Sequence, residues 1–110
     1  LVVYNGIVWE TTSLSNPEDN QWFVFSPQSM ITYENESGCI KYTDLWGVAN
    51  SEGETKTVLE NSKNLLKIEM KSGTNTFIYT LTVSENGDVL TIQNSMGTKE
   101  ISTKVSEPCK

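Results

Sequence analysis

The groups able to do chemistry in this chain are carboxylates and two thiols. Its 110 residues include no histidine, and arginine is absent as well. Without histidine there is no Ser-His-Asp or Cys-His nucleophile, and most zinc-ligand sets are gone. Without arginine there is no planar fork to clamp a carboxylate or phosphate through two bonds. The segments "SGTN" and "ENGD" are turns and lack the spacing of a phosphate-binding loop. Acid–base work would then fall to paired carboxylates. Glu34 and Glu36 share a strand parity, Asp44 and Glu54 sit near a turn, and Glu18-Asp19 lie in the loop that holds Pro17. Each pair reads first as a solvated face. A weak Ca²⁺ site at Glu18, Asp19 and Asn20 is the one metal reading, and it lacks the EF-hand spacing. The expectation is no catalytic residue, no metal, no cofactor and no enzyme.

The thiols are Cys39, after the turn "NESG", and Cys109, beside Pro108 in a polar tail. A free buried cysteine normally lies inside an apolar run, and Cys109 does not. Terminal segments are disordered unless tied down. A Cys39–Cys109 disulfide would tie this one, closing a loop of about 70 residues for a stabilisation on the order of 4 kcal/mol. It would also imply an oxidising compartment: secreted, periplasmic or cell-surface. The alternative is two unrelated thiols of a cytosolic protein. The start at Leu1 reads as a processed product whose signal peptide is already removed. "NES" (Asn35 to Ser37) is a glycosylation sequon in a secreted eukaryotic chain.

Composition bounds the partners. The net charge is −6, a surface that repels phosphate backbones and anionic headgroups. Nucleic acid is therefore not an expected partner. No stretch has the roughly 20 apolar residues of a membrane-spanning helix. One domain over residues 1–110 is expected.

Short apolar runs alternate with turn signals every eight to twelve residues or so, the signature of an all-β sandwich or barrel. The candidate strands are "GIVWETT", "QWFVFS", "MITYENE", "CIKYTDLWGV", "ETKTVLE", "LLKIEMK", "TFIYTLTVS", "VLTIQN" and "TKEISTKV". In "TFIYTLTVS", Phe77, Tyr79, Leu81 and Val83 share one face. Asn86-Gly87 is expected to supply the positive φ angles of a hairpin turn. The stretch "TKTVLENSKNLLKIEM" also has apolar residues at helical spacing. Asn61, Ser62 and Asn64 interrupt it and alternation resumes after them, so it is read as two strands. About eight or nine antiparallel strands in an up-and-down meander lose their exposed edges by closing into a small barrel. Such an interior is filled by side chains or holds one small ligand.

The aromatic residues carry the remaining signal. Trp9, Phe23, Phe25, Tyr33, Tyr42, Trp46, Phe77, Tyr79 and Leu81 are the candidate barrel lining, as core or as the wall of a cup. "QWFVF" is apolar on both parities, so Trp22 and Val24 face away from Phe23 and Phe25. Trp22 is then either covered by a loop or helix, or part of a protein-contact patch.

"GIVWE" (Gly6 to Glu10), "FSPQSMITY" (Phe25 to Tyr33) and "FIYTLTVSENGDVLTI" (Phe77 to Ile92) stand where the small bacterial lipocalin-like domains of secreted and lipoprotein chains carry Gly-Thr-Trp, Phe-x-x-Asp-Gly-x-Phe and a late hairpin. The chain resembles that family over most of its length. It departs from it in the spacing of Gly6 to Trp9 and in Gln28-Ser29 replacing Asp-Gly. "SGCIKY" (Ser37 to Tyr42) is similar to the Gly-Cys-Asn-x-Tyr of META-type domains, with Ile40 replacing the asparagine. The lipocalin-like resemblance implies a barrel cup for a small apolar ligand, or a surface module. Two functions follow as expectations: a non-enzymatic secreted or surface-anchored binding module, or a filled barrel that acts as an inhibitor or adaptor for a protein partner.

Overall fold

Nine β-strands follow one another: β1 Val8–Thr11, β2 Gln21–Phe25, β3 Ser29–Asn35, β4 Cys39–Leu45, β5 Thr55–Asn61, β6 Leu65–Ser72, β7 Asn75–Val83, β8 Val89–Asn94 and β9 Lys99–Val105. The structure, a computed structural model, describes residues 4–11, 20–35 and 37–109. There is no α-helix among the described residues. The Ca²⁺ reading falls outside the description, since Glu18 and Asp19 are not among those residues; Glu36 of the sequon is not either.

The strands form one sheet in the order β4-β3-β2-β1-β9-β8-β7-β6-β5. All neighbours are antiparallel, including the β1–β9 pair that joins the two ends of the chain. The sheet curls into a nearly closed barrel, as the meander pattern predicts. The region read as ambiguous between helix and strands is the hairpin β5–β6, with Val58 opposite Ile68 and a register shift that leaves Leu59 out of the pairing.

Direction makes the break fall between β4 and β5. Each antiparallel pairing reverses the chain, so the two outer strands of a nine-stranded antiparallel sheet run the same way. They cannot be joined by a simple hairpin, because parallel neighbours need a longer crossover. The connection 46–54 bridges them in another way. The Trp46 amide donates to the Gln28 carbonyl at 2.9 Å, and the next amide, Gly47, donates to the Lys56 carbonyl at 2.7 Å. Ala49 then makes an isolated antiparallel bridge to Thr55. The Asn50 side-chain oxygen accepts from the amides of Glu52 and Glu54 and holds the turn.

The core occupies one end of the barrel. Trp9, Phe23, Phe25, Leu66, Ile68, Leu81, Val83 and Leu90 form one buried cluster, with Tyr4, Ile7, Met30 and Trp46 packed around it. These residues sit mainly where β2 and β7 finish and where β6 and β8 begin. Inside each strand they alternate, as a period of two requires.

The turn before β8 differs from expectation. Only Gly87 has positive φ, +79°; Asn86 does not. The Asn86 side-chain oxygen instead accepts from the Ser84 hydroxyl at 2.6 Å and from the Asp88 amide at 3.2 Å. This side chain stabilises a longer loop in place of a two-residue turn. A Cβ on Gly87 would also stand 3.4 Å from the Tyr4 ring.

Cys39 and Cys109 are joined as a disulfide with Cα atoms 5.8 Å apart. The bridge ties the tail that follows β9 to the head of β4, and β1, β2 and β3 lie between those strands in the sheet. It closes a loop of sequence separation 70, large enough for a stabilisation of about 2–4 kcal/mol. Without reductant, Cys109→Ser is expected to unfold at lower urea than the parent by that margin. In dithiothreitol the two midpoints are expected to coincide, and urea titrations followed by circular dichroism check both.

Candidate functional site: an apolar cup with a polar mouth

The inward face of the barrel is filled at one end and hollow towards the other. A cavity of about 400 Å³ is lined by Phe23, Phe25, Met30, Ile68, Met70, Tyr79, Leu81 and Ile92, with Gln21, Thr32, Glu54, Lys56 and Glu100 as its polar members. The polar members lie mostly towards the end where β2, β5 and β9 begin. Cross-strand register explains the assembly: Phe23 faces Thr32, Leu81 faces both Leu66 and Ile92, and Ile92 faces Glu100. Directly opposed residues share a face, so one inward row runs around the barrel.

A second, more polar cavity of about 630 Å³ lies along the break between β4 and β5. It is lined by Thr32, Glu34, Lys41, Tyr42, Thr43, Asp44, Asn50, Ser51, Glu52, Glu54 and Lys56. It shares Thr32, Glu54 and Lys56 with the first. The cup and the seam are therefore adjoining spaces.

Lys56 and Asp44 close the seam across the parity break. The ammonium lies 3.0 Å from the carboxylate, and both side chains are mostly buried, at 16% and 14% exposure. Asp44 also accepts from the Asn50 amide nitrogen at 3.0 Å. A pair this sheltered is screened less than a surface pair, and removal of one partner strands the other charge. Two further mouth carboxylates accept from side-chain amides. Glu34 accepts from Gln21 Nε2 at 2.9 Å, and Glu54 from Asn50 Nδ2 at 3.4 Å.

The structure distributes the nine candidate lining residues unevenly. Phe23, Phe25, Tyr79 and Leu81 line the cup, and Tyr42 lines the seam. Trp9 is fully buried in the core below the cup. Trp46 packs against that core from the connection after β4, with its indole nitrogen 3.4 Å from the Ser26 carbonyl. Phe77 shares the face of its partner Met70 but is not part of the cavity wall. Tyr33 is a correction: it is the cross-strand partner of Trp22 and Lys41, on the outer face, while its neighbour Thr32 points inward. The outer side of β2–β3 is itself apolar, pairing Trp22 with Tyr33 and Val24 with Ile31, so an aromatic residue there is no sign of the interior. Trp22 is 2% exposed, and so it is covered rather than an open contact patch. The indole nitrogens of Trp9 and Trp22 have no hydrogen-bond partner among the described residues.

Sequence reasoning missed Gln21, Met30, Thr32, Glu54, Lys56, Ile68, Met70, Ile92 and Glu100 in the cup wall. The alternation of Leu66, Ile68 and Met70 was the available signal for two of them. The polar ones carry no signal until register places them opposite inward residues. No family model, no curated protein and no solved structure matches this chain.

The seam yields an energetic prediction. Asp44→Asn and Lys56→Met are each expected to cost about 1–3 kcal/mol, because each leaves a mostly buried charge unpaired. The double variant is expected to lose less than the two singles together. A double-mutant cycle by urea unfolding measures the difference.

Proposed function

We propose that this chain is a non-enzymatic binding module that holds a small apolar ligand in its barrel cup. The observation that carries the reading is the cavity of about 400 Å³ walled by apolar and aromatic side chains. That volume lies within the roughly 300–1,000 Å³ typical of small-molecule pockets. An apolar body displaces water there, and a polar end reaches Gln21, Thr32 or the charged mouth. The disulfide fits an oxidising, extracytoplasmic setting, and we place the chain as secreted, periplasmic or anchored at a cell surface as a lipoprotein. Its resemblance to small bacterial lipocalin-like domains, with META-type domains as the second resemblance, agrees with that placement.

A protein-interaction domain without a small-molecule ligand is the second reading, and one observation favours it. Leu45, Val48 and Leu59 on or near the two lips of the seam are about half exposed, at 51%, 54% and 49%. Unpaired strand edges bearing apolar side chains suit a protein partner.

An uncharged environment-sensitive dye, N-phenyl-1-naphthylamine, separates the two. Under the cup reading its fluorescence rises with the folded protein. The rise is lost in Ile92→Trp, which fills the cup, and kept in Ile101→Trp on the outer face of β9. Absence of dye uptake by a folded protein, or equal uptake by both variants, rejects the cup.

A further inference from the structure

The cup is apolar, but the groups at its mouth are not balanced in charge. Across the cup and the adjoining seam, the walls carry Glu34, Asp44, Glu52, Glu54 and Glu100 against Lys41 and Lys56. Lys56 is already engaged by Asp44 at 3.0 Å. Lys41 alternates with the inward residues of β4 and is exposed. The hydrogen-bond donor to Glu34 and to Glu54 is in each case a side-chain amide, which carries no charge. Glu100 follows Lys99 at the start of β9, opposite Ile92 of the cup wall, and its carboxylate makes no ion pair or hydrogen bond among the described residues.

We infer that the ligand of this cup is a cationic amphiphile: an apolar chain or ring that carries an ammonium group at the mouth. The inference rests on the reading of the cup as a small-molecule site, and the cavity, not the carboxylates, makes that site. The carboxylates select among ligands that fit it. The apolar wall takes the body. Glu34, Glu54 and Glu100 meet the head in a setting where low-dielectric walls strengthen the attraction beyond its value in water. Tyr79 adds an aromatic ring to the cup wall above the buried Phe23 and Phe25, and aromatic faces attract ammonium groups. A carboxylate-headed amphiphile of the same length meets three like charges, and Lys56, the lysine of the cup wall, is held by Asp44. A bare ammonium ion lacks the apolar contact.

The test holds the tail constant and changes the head. Decyltrimethylammonium, 1-decanol and decanoate, each below its micellar concentration, compete with N-phenyl-1-naphthylamine for the oxidised protein, and tetramethylammonium reports the head alone. The cation is expected to displace dye at a concentration roughly tenfold or more below that of the alcohol, and the anion to be the weakest. Tetramethylammonium is expected to displace none. Raising salt from about 20 mM to 500 mM should narrow the gap between cation and alcohol, because screening acts on the charge and not on the tail. In Glu34→Gln/Glu54→Gln/Glu100→Gln the preference for the cation over the alcohol, read as the ratio of their displacing concentrations, should fall to within about twofold. Should that variant fail to fold, Glu100→Gln with the salt series of the parent protein still tests the point. Decanol binding without a preference for the cation overturns this inference and leaves the cup. A cation preference unchanged in the variants overturns it as well, since the charge would then act from elsewhere on an acidic surface. Failure of all three decyl compounds to displace bound dye overturns the cup reading itself and this inference with it.

Discussion

The parity of the strands governs the rest of the molecule. A closed ring of antiparallel strands needs an even number, and this chain supplies nine. Pairing β1 with β9 closes the chain ends into the sheet and moves the mismatch to β4 and β5. There the two edges run in the same direction and are not laddered. The molecule meets the mismatch with the 46–54 connection, whose Trp46 and Gly47 amides reach to opposite sides, and with the Lys56–Asp44 pair. The seam, the polar space beside it and the exposed apolar lips all follow from that single arithmetic fact.

The division of the interior into a solid end and a hollow end has a second cause. At one end the inward positions carry Trp9, Phe25, Leu66, Val83 and Leu90, which are large enough to meet across a small barrel. Towards the other end the inward positions include Gln21, Thr32, Glu34, Lys56 and Glu100. Charged and amide groups cannot move into an apolar centre without losing their water. They stay at the mouth, and the space beneath them, walled by Ile68, Met70, Tyr79, Leu81 and Ile92, is left open. Packing density and polarity together therefore produce a cup.

Much of the fold was legible in the sequence because strands of period two with frequent turns leave few alternatives. "TFIYTLTVS" showed its inward face through Phe77, Tyr79, Leu81 and Val83, and "LLKIEMK" showed Leu66, Ile68 and Met70. The disulfide was legible because a cysteine in a polar tail has no other packing reason. The site was less legible. Tyr33 looked internal only because it is aromatic, and the outer face of β2–β3 is apolar too. Lys56 and Glu54 lie in the weakest strand pattern, and Asp44 in a run with turn character. Their meeting depends on the parity of the strand count and on the β1–β9 closure. Those are properties of the whole chain that no local window contains.

The barrel holds an open apolar cup. Methyl-labelled protein titrated with 1-decanol and followed by carbon–proton correlation spectra addresses it most directly. Shifts are expected to concentrate at Met30, Ile68, Met70, Leu81 and Ile92, which face the cavity, with smaller changes at Leu90 and Val83 in the filled end. Shifts confined to the exposed Leu45, Val48, Leu59 or Ile101, or no shift at saturating alcohol, would contradict it.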